Sequence, residues 1–151
     1  MDKKIRLCSA CLLGVKCRYD GKSKGNDKII LLSKKEILIP VCPEQLGGQS
    51  TPRPDAEIVG GDGNDVLNLK ANVIEPNKNN VTKEFIMGAE EVLRIAKILD
   101  VKEAILKQQS PACGCGQIYD GTFSKKIIKG DGVTTALLKK HNINVITEED
   151  I

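Results

Sequence analysis

Aromatic residues, histidine and long apolar runs are scarce in this sequence, and each shortage removes a class of function. The 151 residues include no tryptophan, two phenylalanines, two tyrosines and a single histidine, His141. His141 follows two lysines at the predicted end of a helix, where a histidine usually partners the helix dipole and does not act as a base. No run approaches the roughly 20 apolar residues that cross a bilayer, so we expect no membrane association.

A secretion signal is also lacking. The N-terminal segment MDKKIRLCSACLLG is basic and then apolar, but Cys8, Ser9 and Cys11 interrupt the apolar run. Such a segment makes a poor signal peptide, and we therefore expect a cytoplasmic protein. Because the cytosol keeps thiols reduced, the six cysteines need an explanation other than disulfides. Metal binding and catalysis are the alternatives.

The excess of positive over negative charge is also small. The net charge of +3 is compatible with a small anionic ligand or RNA, but it is well below that of a dedicated nucleic-acid-binding domain. The segment GGDGND, residues 60–65, lacks the Lys-Ser/Thr pair of a phosphate-binding loop, and we interpret it as turns. The chain length predicts one domain over residues 1–151 whose core needs no disulfides.

Apolar segments alternate between strand-like and helix-like patterns. Strands are predicted to end at Cys11 and at Cys42, and two more are predicted in VKEAILK and INVIT. Helices are predicted after Asn26 or Asp27, from Thr82, and after Asp131. Residues 45–64, rich in Gly and Pro, are predicted to form an extended surface loop, followed by a short hairpin strand in DVLNLKANVI.

This alternation predicts an α/β fold, a mostly parallel open sheet flanked by helices with Rossmann-like or flavodoxin-like layering. In such sheets ligands bind outside the carboxyl ends of the strands. Cys11, Cys42 and Cys113 each follow a different predicted strand. We therefore expect their thiols to converge at one edge of the sheet.

Three converging thiolates suit a soft metal, either zinc or an iron–sulfur cluster. A closed structural zinc site needs four ligands, and the one C-x-x-C pair, Cys8 and Cys11, has no second pair to complete it. Three ligands leave a position open, which is typical of a catalyst. Cys8 is interpreted as a core residue of its strand. Cys17 and Cys115 are interpreted as loop residues, with a role as fourth ligand or spare redox thiol left open.

Four segments carry a resemblance to a known family. SACLLGVKCRYDG, PVCPEQLGG, STPRPDAEI and SPACGCGQIYDGTF, in this order, resemble the thiouracil desulfidase family, long catalogued as a domain of unknown function. The resemblance implies an α/β fold with a [4Fe–4S] cluster held by three cysteines, and a fourth iron open to the sulfur of the substrate. The chain departs from the family at Ala112, where serine is frequent, at Gln49, where leucine is frequent, and in the additional thiol of Cys115.

Transferred to this chain, the resemblance implies Cys11, Cys42 and Cys113 as cluster ligands. It also implies Glu44 and Ser110 as catalytic groups. Glu44 has a second interpretation, as a carboxylate that is favourable at the start of a helix.

Both tyrosines lie in YDG segments, and we predict that Tyr19 and Tyr119 contact a flat heterocyclic substrate. The alternative is a pair of ordinary Asp-Gly turns. Arg18 and Arg53 are predicted to hold carbonyl oxygens or a phosphate of the substrate, with surface charge as the alternative.

Two functions of different class follow from these residues. The first is a desulfidase that converts thiouracil or thiouridine to uracil or uridine and releases hydrosulfide without net redox change. Its substrate is a small thiolated nucleobase or nucleoside, or a thiolated tRNA. The second is a cysteine-rich zinc- or cluster-binding redox sensor without catalysis. The oligomeric state is left open.

Overall fold

The computed structural model describes residues 2–151 and alternates strands with helices. The strands are β1 (Ile5–Ser9), β2 (Ile37–Val41), β3 (Glu57–Val59), β4 (Asn72–Ile74), β5 (Glu103–Leu106), β6 (Ile118–Tyr119), β7 (Ile127–Ile128) and β8 (Asn144–Thr147). The helices are α1 (Asp27–Leu32), α2 (Pro43–Leu46), α3 (Gly63–Leu67), α4 (Thr82–Ile98) and α5 (Val133–Lys140), with 3₁₀ turns at Ala10–Leu13 and Glu148–Asp150.

A four-stranded sheet forms the centre of the molecule, in the order β2-β1-β5-β8. Every pairing in it is parallel. Its strands are rich in isoleucine, leucine and valine, which pack well on a pleated, buried surface. The predicted α/β fold with a mostly parallel sheet is therefore confirmed. Since the four strands run in one direction, their carboxyl ends lie at the same edge of the sheet.

Helix α4 is the longest helix and begins at Thr82, as predicted. Its apolar side chains recur every three or four residues and form one buried face, made of Phe85, Ala89, Val92, Leu93 and Ala96. Full burial of a side chain the size of Phe85 contributes about 1.5–3 kcal/mol. Within residues 2–151, no helix combines the length and apolar character that crossing a bilayer requires.

Helix α2 follows Cys42 directly and lies against the backbone of α4. A Cβ atom at Gly88 would overlap the carbonyl oxygen of Pro43, and one at Gly47 would overlap the carbonyl oxygen of Glu84. Only glycine permits such a close approach of two backbones. The two glycines therefore set the distance between α4 and the segment that carries Cys42.

The strand ends predicted at two cysteines are wrong by one or two residues. Strand β1 ends at Ser9, and Cys11 lies in the 3₁₀ turn that follows. Strand β2 stops one residue before Cys42, which is the N-cap of α2. The early end of β2 is explained by Pro43, whose fixed φ suits the first helical position while the preceding residue, Cys42, stays extended.

The prediction of one extended loop over residues 45–64 is wrong in part. This stretch contains the end of α2, all of β3 and the start of α3. Strand β3 pairs antiparallel with β4, which lies within the predicted hairpin strand. Helix α3 begins inside GGDGND, interpreted above as turns, because the Asp62 and Asp65 side chains each accept a hydrogen bond from the other's backbone amide. This capping box satisfies two free amides at the helix start.

Candidate active site

A cavity of about 380 Å³ opens at the carboxyl edge of the sheet. Its walls come from the segments that follow β1, β2 and β5, together with residues near β3 and β6. This volume is within the range of small-molecule sites. The structure brings to this one cavity all the residues that the sequence assigned to a site: Cys11, Arg18, Tyr19, Cys42, Glu44, Arg53, Ser110, Cys113 and Tyr119.

Three of the cysteines reach the cavity from three adjacent strands, β2, β1 and β5. Cys11 lies in the turn after β1, Cys42 directly after β2, and Cys113 in the loop after β5. All three thiols are free. Cys11 and Cys113 are buried, whereas Cys42 is partly exposed. Because of the sheet topology, three cysteines that are far apart in the sequence line the same cavity.

Burial and a neighbouring thiol favour the neutral form of two of these cysteines, Cys42 and Cys113. Burial raises the pKa of the Cys113 thiol to about 12, although a hydrogen bond with Ser9 opposes this effect. A hydrogen bond with the Cys17 thiol, followed by burial, raises the pKa of the Cys42 thiol well above its ordinary value. Buried thiolates that face one cavity repel each other unless a metal offsets their charge. The donor set therefore fits a bound soft metal or metal cluster.

No three Cys, His, Asp or Glu side chains within residues 2–151 lie close enough together to share one metal ion. A [4Fe–4S] cluster requires a different arrangement, because each cysteine binds a different iron atom and the cluster separates the ligand sulfurs. The three cysteines that line the cavity from separate strand ends are donors of the kind that such a cluster uses.

Cys17 also lines the cavity, although the sequence placed it only in a loop. Its residue exposure is 2%, and the thiols of Cys11 and Cys42 are near enough to shift its pKa. The hydrogen bond with Cys11 is the main cause that raises the pKa of Cys17 to about 11, and the one with Cys42 acts in the opposite direction. Four thiols therefore meet at this edge of the sheet.

The other two cysteines lie outside the cavity. Cys8 is fully buried in β1 and packs in an apolar cluster with Ile105, as predicted for a core residue. Cys115 is partly exposed, and its thiol lies 3.7 Å from the carbonyl oxygen of Val145. Of the two thiols in the CGC segment, Cys113 is the one that faces the cavity.

Glu44 lies in the first turn of α2, and Arg53 holds its carboxylate. The Arg53 Nε donates to the Glu44 Oε2 at 2.7 Å. Burial raises the pKa of Glu44, while the charge of Arg53 and its hydrogen bond oppose the rise without reversing it. The other guanidinium donors of Arg53 bind the carbonyl oxygens of Ser50 and Cys17 and the hydroxyl of Thr51. One of the five N–H groups of Arg53 is left for a substrate.

Ser110 lies in the loop after β5, and its hydroxyl organises that loop. The hydroxyl oxygen accepts hydrogen bonds from the amides of Ala112 and Cys113, both at 3.1 Å. Because both bonds use the oxygen as acceptor, the hydroxyl hydrogen is free to donate to a group in the cavity. The same two bonds hold the backbone that carries Cys113.

Tyr19 and Tyr119 line the cavity from their YDG segments. In each segment the aspartate side chain accepts a hydrogen bond from the amide two residues later, which closes a turn. The Arg18 guanidinium lies 5.5 Å from the centre of the Tyr19 ring, a distance typical of a cation–π contact. Each YDG segment thus forms a turn and also places its tyrosine in the cavity wall.

Comparison with known proteins bears directly on this site. The sequence model of the 2-thiouracil desulfurase family matches residues 7–150. The chain belongs to the 2-thiouracil desulfurase family. The match covers every strand of the sheet beyond the first residues of β1, and the whole cavity. The resemblance drawn from the four motifs is therefore confirmed.

Two proteins are similar to this 2-thiouracil desulfurase family member over almost its whole length. The uncharacterized protein YbbK of Bacillus subtilis (strain 168) is 46% identical over 145 residues, which cover 96% of each chain. The solved structure of the [4Fe-4S]-dependent thiouracil desulfidase TudS (DUF523Vcz) is 39% identical, with a TM-score of 0.86. The similarity covers 99% of this chain and 93% of that one.

The sequence analysis missed several polar residues in the cavity wall of this desulfurase-family chain: Ser9, Cys17, Asp55, Glu57 and Lys107. Asp55 and Glu57 belong to STPRPDAEI, one of the motifs that carry the resemblance, and that motif was the available signal. Ser9 and Cys17 belong to SACLLGVKCRYDG in the same way, whereas Lys107 lies outside the four motifs and had no signal. Ser9 also makes a contact between distant segments. Its hydroxyl accepts a hydrogen bond from the amide of Lys107 at 2.9 Å.

Proposed function

We propose that this protein is a [4Fe–4S]-dependent desulfidase that removes sulfur from small thiolated pyrimidines. Thiouracil or thiouridine reacts with water to give uracil or uridine and hydrosulfide, without net redox change. The observation that best supports the proposal is that the cysteine thiols, Glu44 and Ser110 share one cavity in a chain 39% identical to a thiouracil desulfidase. A free base or nucleoside is the proposed substrate, and a thiolated tRNA is the larger alternative.

Cys11, Cys42 and Cys113 are the proposed cluster ligands. They come from three adjacent strand ends, and all three line the cavity. A [4Fe–4S] cluster held by three cysteines has one iron without a protein ligand, which supplies a Lewis acid for a thiocarbonyl sulfur. Proton transfer and orientation of the substrate are then left to the other side chains of the cavity.

Glu44 is the proposed acid–base group. It takes a proton from the water that attacks the carbon bearing the sulfur, and it returns that proton later in the reaction. A raised pKa suits this role, because an acid–base group is most effective when its pKa lies near the working pH. Arg53 binds the Oε2 atom of Glu44, so the Oε1 atom is left to contact the water.

Ser110 and the two tyrosines are the proposed groups that orient the substrate. The free hydroxyl hydrogen of Ser110 donates to the pyrimidine or relays a proton. Tyr19 and Tyr119 contact the flat ring by stacking or by hydrogen bonds. Arg18, with the remaining N–H of Arg53, binds a carbonyl oxygen of the base or a phosphate.

Turnover by the reconstituted protein tests the proposal. The protein is loaded with cluster anaerobically, its iron and labile sulfide are measured, and it is incubated with 2- or 4-thiouracil, thionucleosides and thiolated tRNA. We expect loss of the thiocarbonyl absorbance and one sulfide released for each uracil formed, without added reductant. The cluster-free protein is the control. No turnover of any substrate by protein with an intact cluster would favour the redox-sensor function instead.

A further inference from the structure

Cys17 has no part in the proposed reaction, yet it is buried among the groups that do. It lies in the loop between β1 and α1, with 2% of its surface exposed, and it lines the same cavity as the proposed ligands. A buried thiol can react only with a group that is already beside it. For Cys17 that group is another thiol.

Cys42 is tied to Cys17 by several contacts. Its thiol lies 3.7 Å from the carbonyl oxygen of Cys17, and the Cys17 thiol lines the same cavity. Arg53 donates to the same carbonyl oxygen at 2.9 Å and is itself bound to Glu44 in α2, the helix that Cys42 caps. The loop that carries Cys17 is therefore fixed against the segment that carries Cys42.

The two thiols differ in accessibility. Cys42 is partly exposed at the cavity, whereas Cys17 is buried behind it. A reagent that enters the cavity reaches Cys42 first. Cys17 is then the thiol in place to react with the modified sulfur of Cys42.

We propose that Cys17 and Cys42 form a reversible disulfide in the cluster-free protein, with a low-molecular-weight disulfide as oxidant. Each protein thiol is neutral at rest and loses its proton as it reacts. The Cys42 thiolate attacks the oxidant, which forms a mixed disulfide and releases one small thiol. The Cys17 thiolate then attacks the Cys42 sulfur, which forms the Cys17–Cys42 bond and displaces the second small thiol. The two protein thiols lose two electrons and two protons, and these reduce the oxidant to two thiols.

The disulfide shields Cys42 from the irreversible steps of cysteine oxidation, and it also keeps Cys42 from binding iron. A dithiol reductant reverses both effects. This consequence rests on the proposed function, because it takes Cys42 as a cluster ligand. Formation of the disulfide does not rest on it.

Disulfide mapping of the full-length, cluster-free protein tests the inference. The reduced protein is treated with glutathione disulfide, its remaining thiols are blocked, and non-reduced peptides are identified by mass spectrometry. We expect a Cys17–Cys42 linkage and no glutathione retained on the wild-type chain. Cys17→Ser should instead retain one glutathione on Cys42, because the second thiol is missing. Cys8→Ser, which changes a cysteine outside the cavity, should behave as the wild type does.

Glutathione retained on wild-type Cys42, a Cys11–Cys42 linkage, or no reaction would each overturn the inference. If Cys17→Ser does not fold by circular dichroism, the wild-type peptide map decides alone. We also expect the oxidised protein to bind less than roughly a tenth of the iron bound by the reduced protein, with recovery after dithiothreitol. A mapped disulfide in a protein that shows no desulfidase turnover when loaded would count against the proposed function and leave this inference standing.

Discussion

At the scale of single residues, the proposed proton transfer depends on Glu44, whose carboxylate is held by Arg53. Glu44→Gln keeps the shape of the side chain and removes its ability to exchange a proton. We expect the variant to retain the charge-transfer absorbance of the cluster and to lose activity on the order of a hundred- to ten-thousand-fold, the usual range for an acid–base group. Steady-state kinetics of the loaded protein measure the loss.

The raised pKa of Glu44 also predicts how the activity changes with pH. Burial raises the pKa of Glu44, so its base form is lost at a higher pH than that of an ordinary glutamate. Wild-type activity should therefore fall as the pH decreases through this raised pKa, and the Gln variant should lack that acidic limb. The matched control is Glu36→Gln, which removes a carboxylate paired with Arg6 at 3.0 Å outside the cavity. Full activity of Glu44→Gln would remove Glu44 from the reaction.

Some residues of the site could be predicted from sequence and others could not. Cys11, Cys42 and Cys113 could be placed together because each follows a strand, and parallel strands end at one edge. Cys17 could not, because its burial depends on Arg53, which binds its carbonyl oxygen from 36 positions away in the chain. The hydrogen bonds of the Arg53 side chain to other protein groups could not be predicted from the sequence for the same reason.

At the scale of elements, the contact between α2 and α4 positions the segment that carries Cys42 and Glu44. Gly88→Ala would place a methyl group against the Pro43 carbonyl oxygen, so α2 must shift. Overpacking costs about 1–3 kcal/mol, while alanine in a helix contributes roughly 1 kcal/mol over glycine. We expect the free energy of unfolding to fall by up to about 2 kcal/mol, together with weaker iron binding.

Gly25→Ala is the matched control for this change. A Cβ atom at Gly25 would find its nearest neighbour at 3.7 Å, an ordinary contact, so the same substitution should cost little there. An unchanged melting temperature and iron content in Gly88→Ala would show that the spacing of the two helices tolerates the methyl group.

Elements with a strong internal pattern could be predicted, whereas elements defined by a partner could not. Helix α4 was predictable because its apolar residues repeat every three or four positions over many turns. Strand β3 was not, since three residues carry no usable period and its pairing with β4 defines it. Helix α3 was hidden by the glycines around Asp62, whose side chain starts the helix.

At the scale of the whole molecule, a bound cluster would join three segments that are far apart in the chain. A ligand that binds only the folded protein at 100 times its Kd stabilises it by about 2.7 kcal/mol. For a chain of this size we expect cluster loading to raise the melting temperature by roughly 5–10 °C. Anaerobic calorimetry of the loaded and chelator-treated protein measures the shift.

Cysteine variants separate this effect from general stability. Serine at Cys11, Cys42 or Cys113 should abolish both iron binding and the rise in melting temperature. Cys8→Ser should keep both, whatever its own stability, because the Cys8 side chain lies in the apolar core and not in the cavity. A Cys113→Ser variant that still binds iron and is still stabilised would refute the ligand assignment.

The strand order also governs when the site can exist during synthesis. Strand β5 lies between β1 and β8 in the sheet, although β2 leaves the ribosome about 60 residues before it and β1 about 90 residues before it. A nascent chain that has emerged to the end of α4 displays Cys11, Cys17 and Cys42, but it lacks the loop that brings Cys113 and Ser110. Insertion of the proposed cluster must therefore wait until about three quarters of the 151 residues have emerged, and during that interval the early thiols lack their third partner, Cys113.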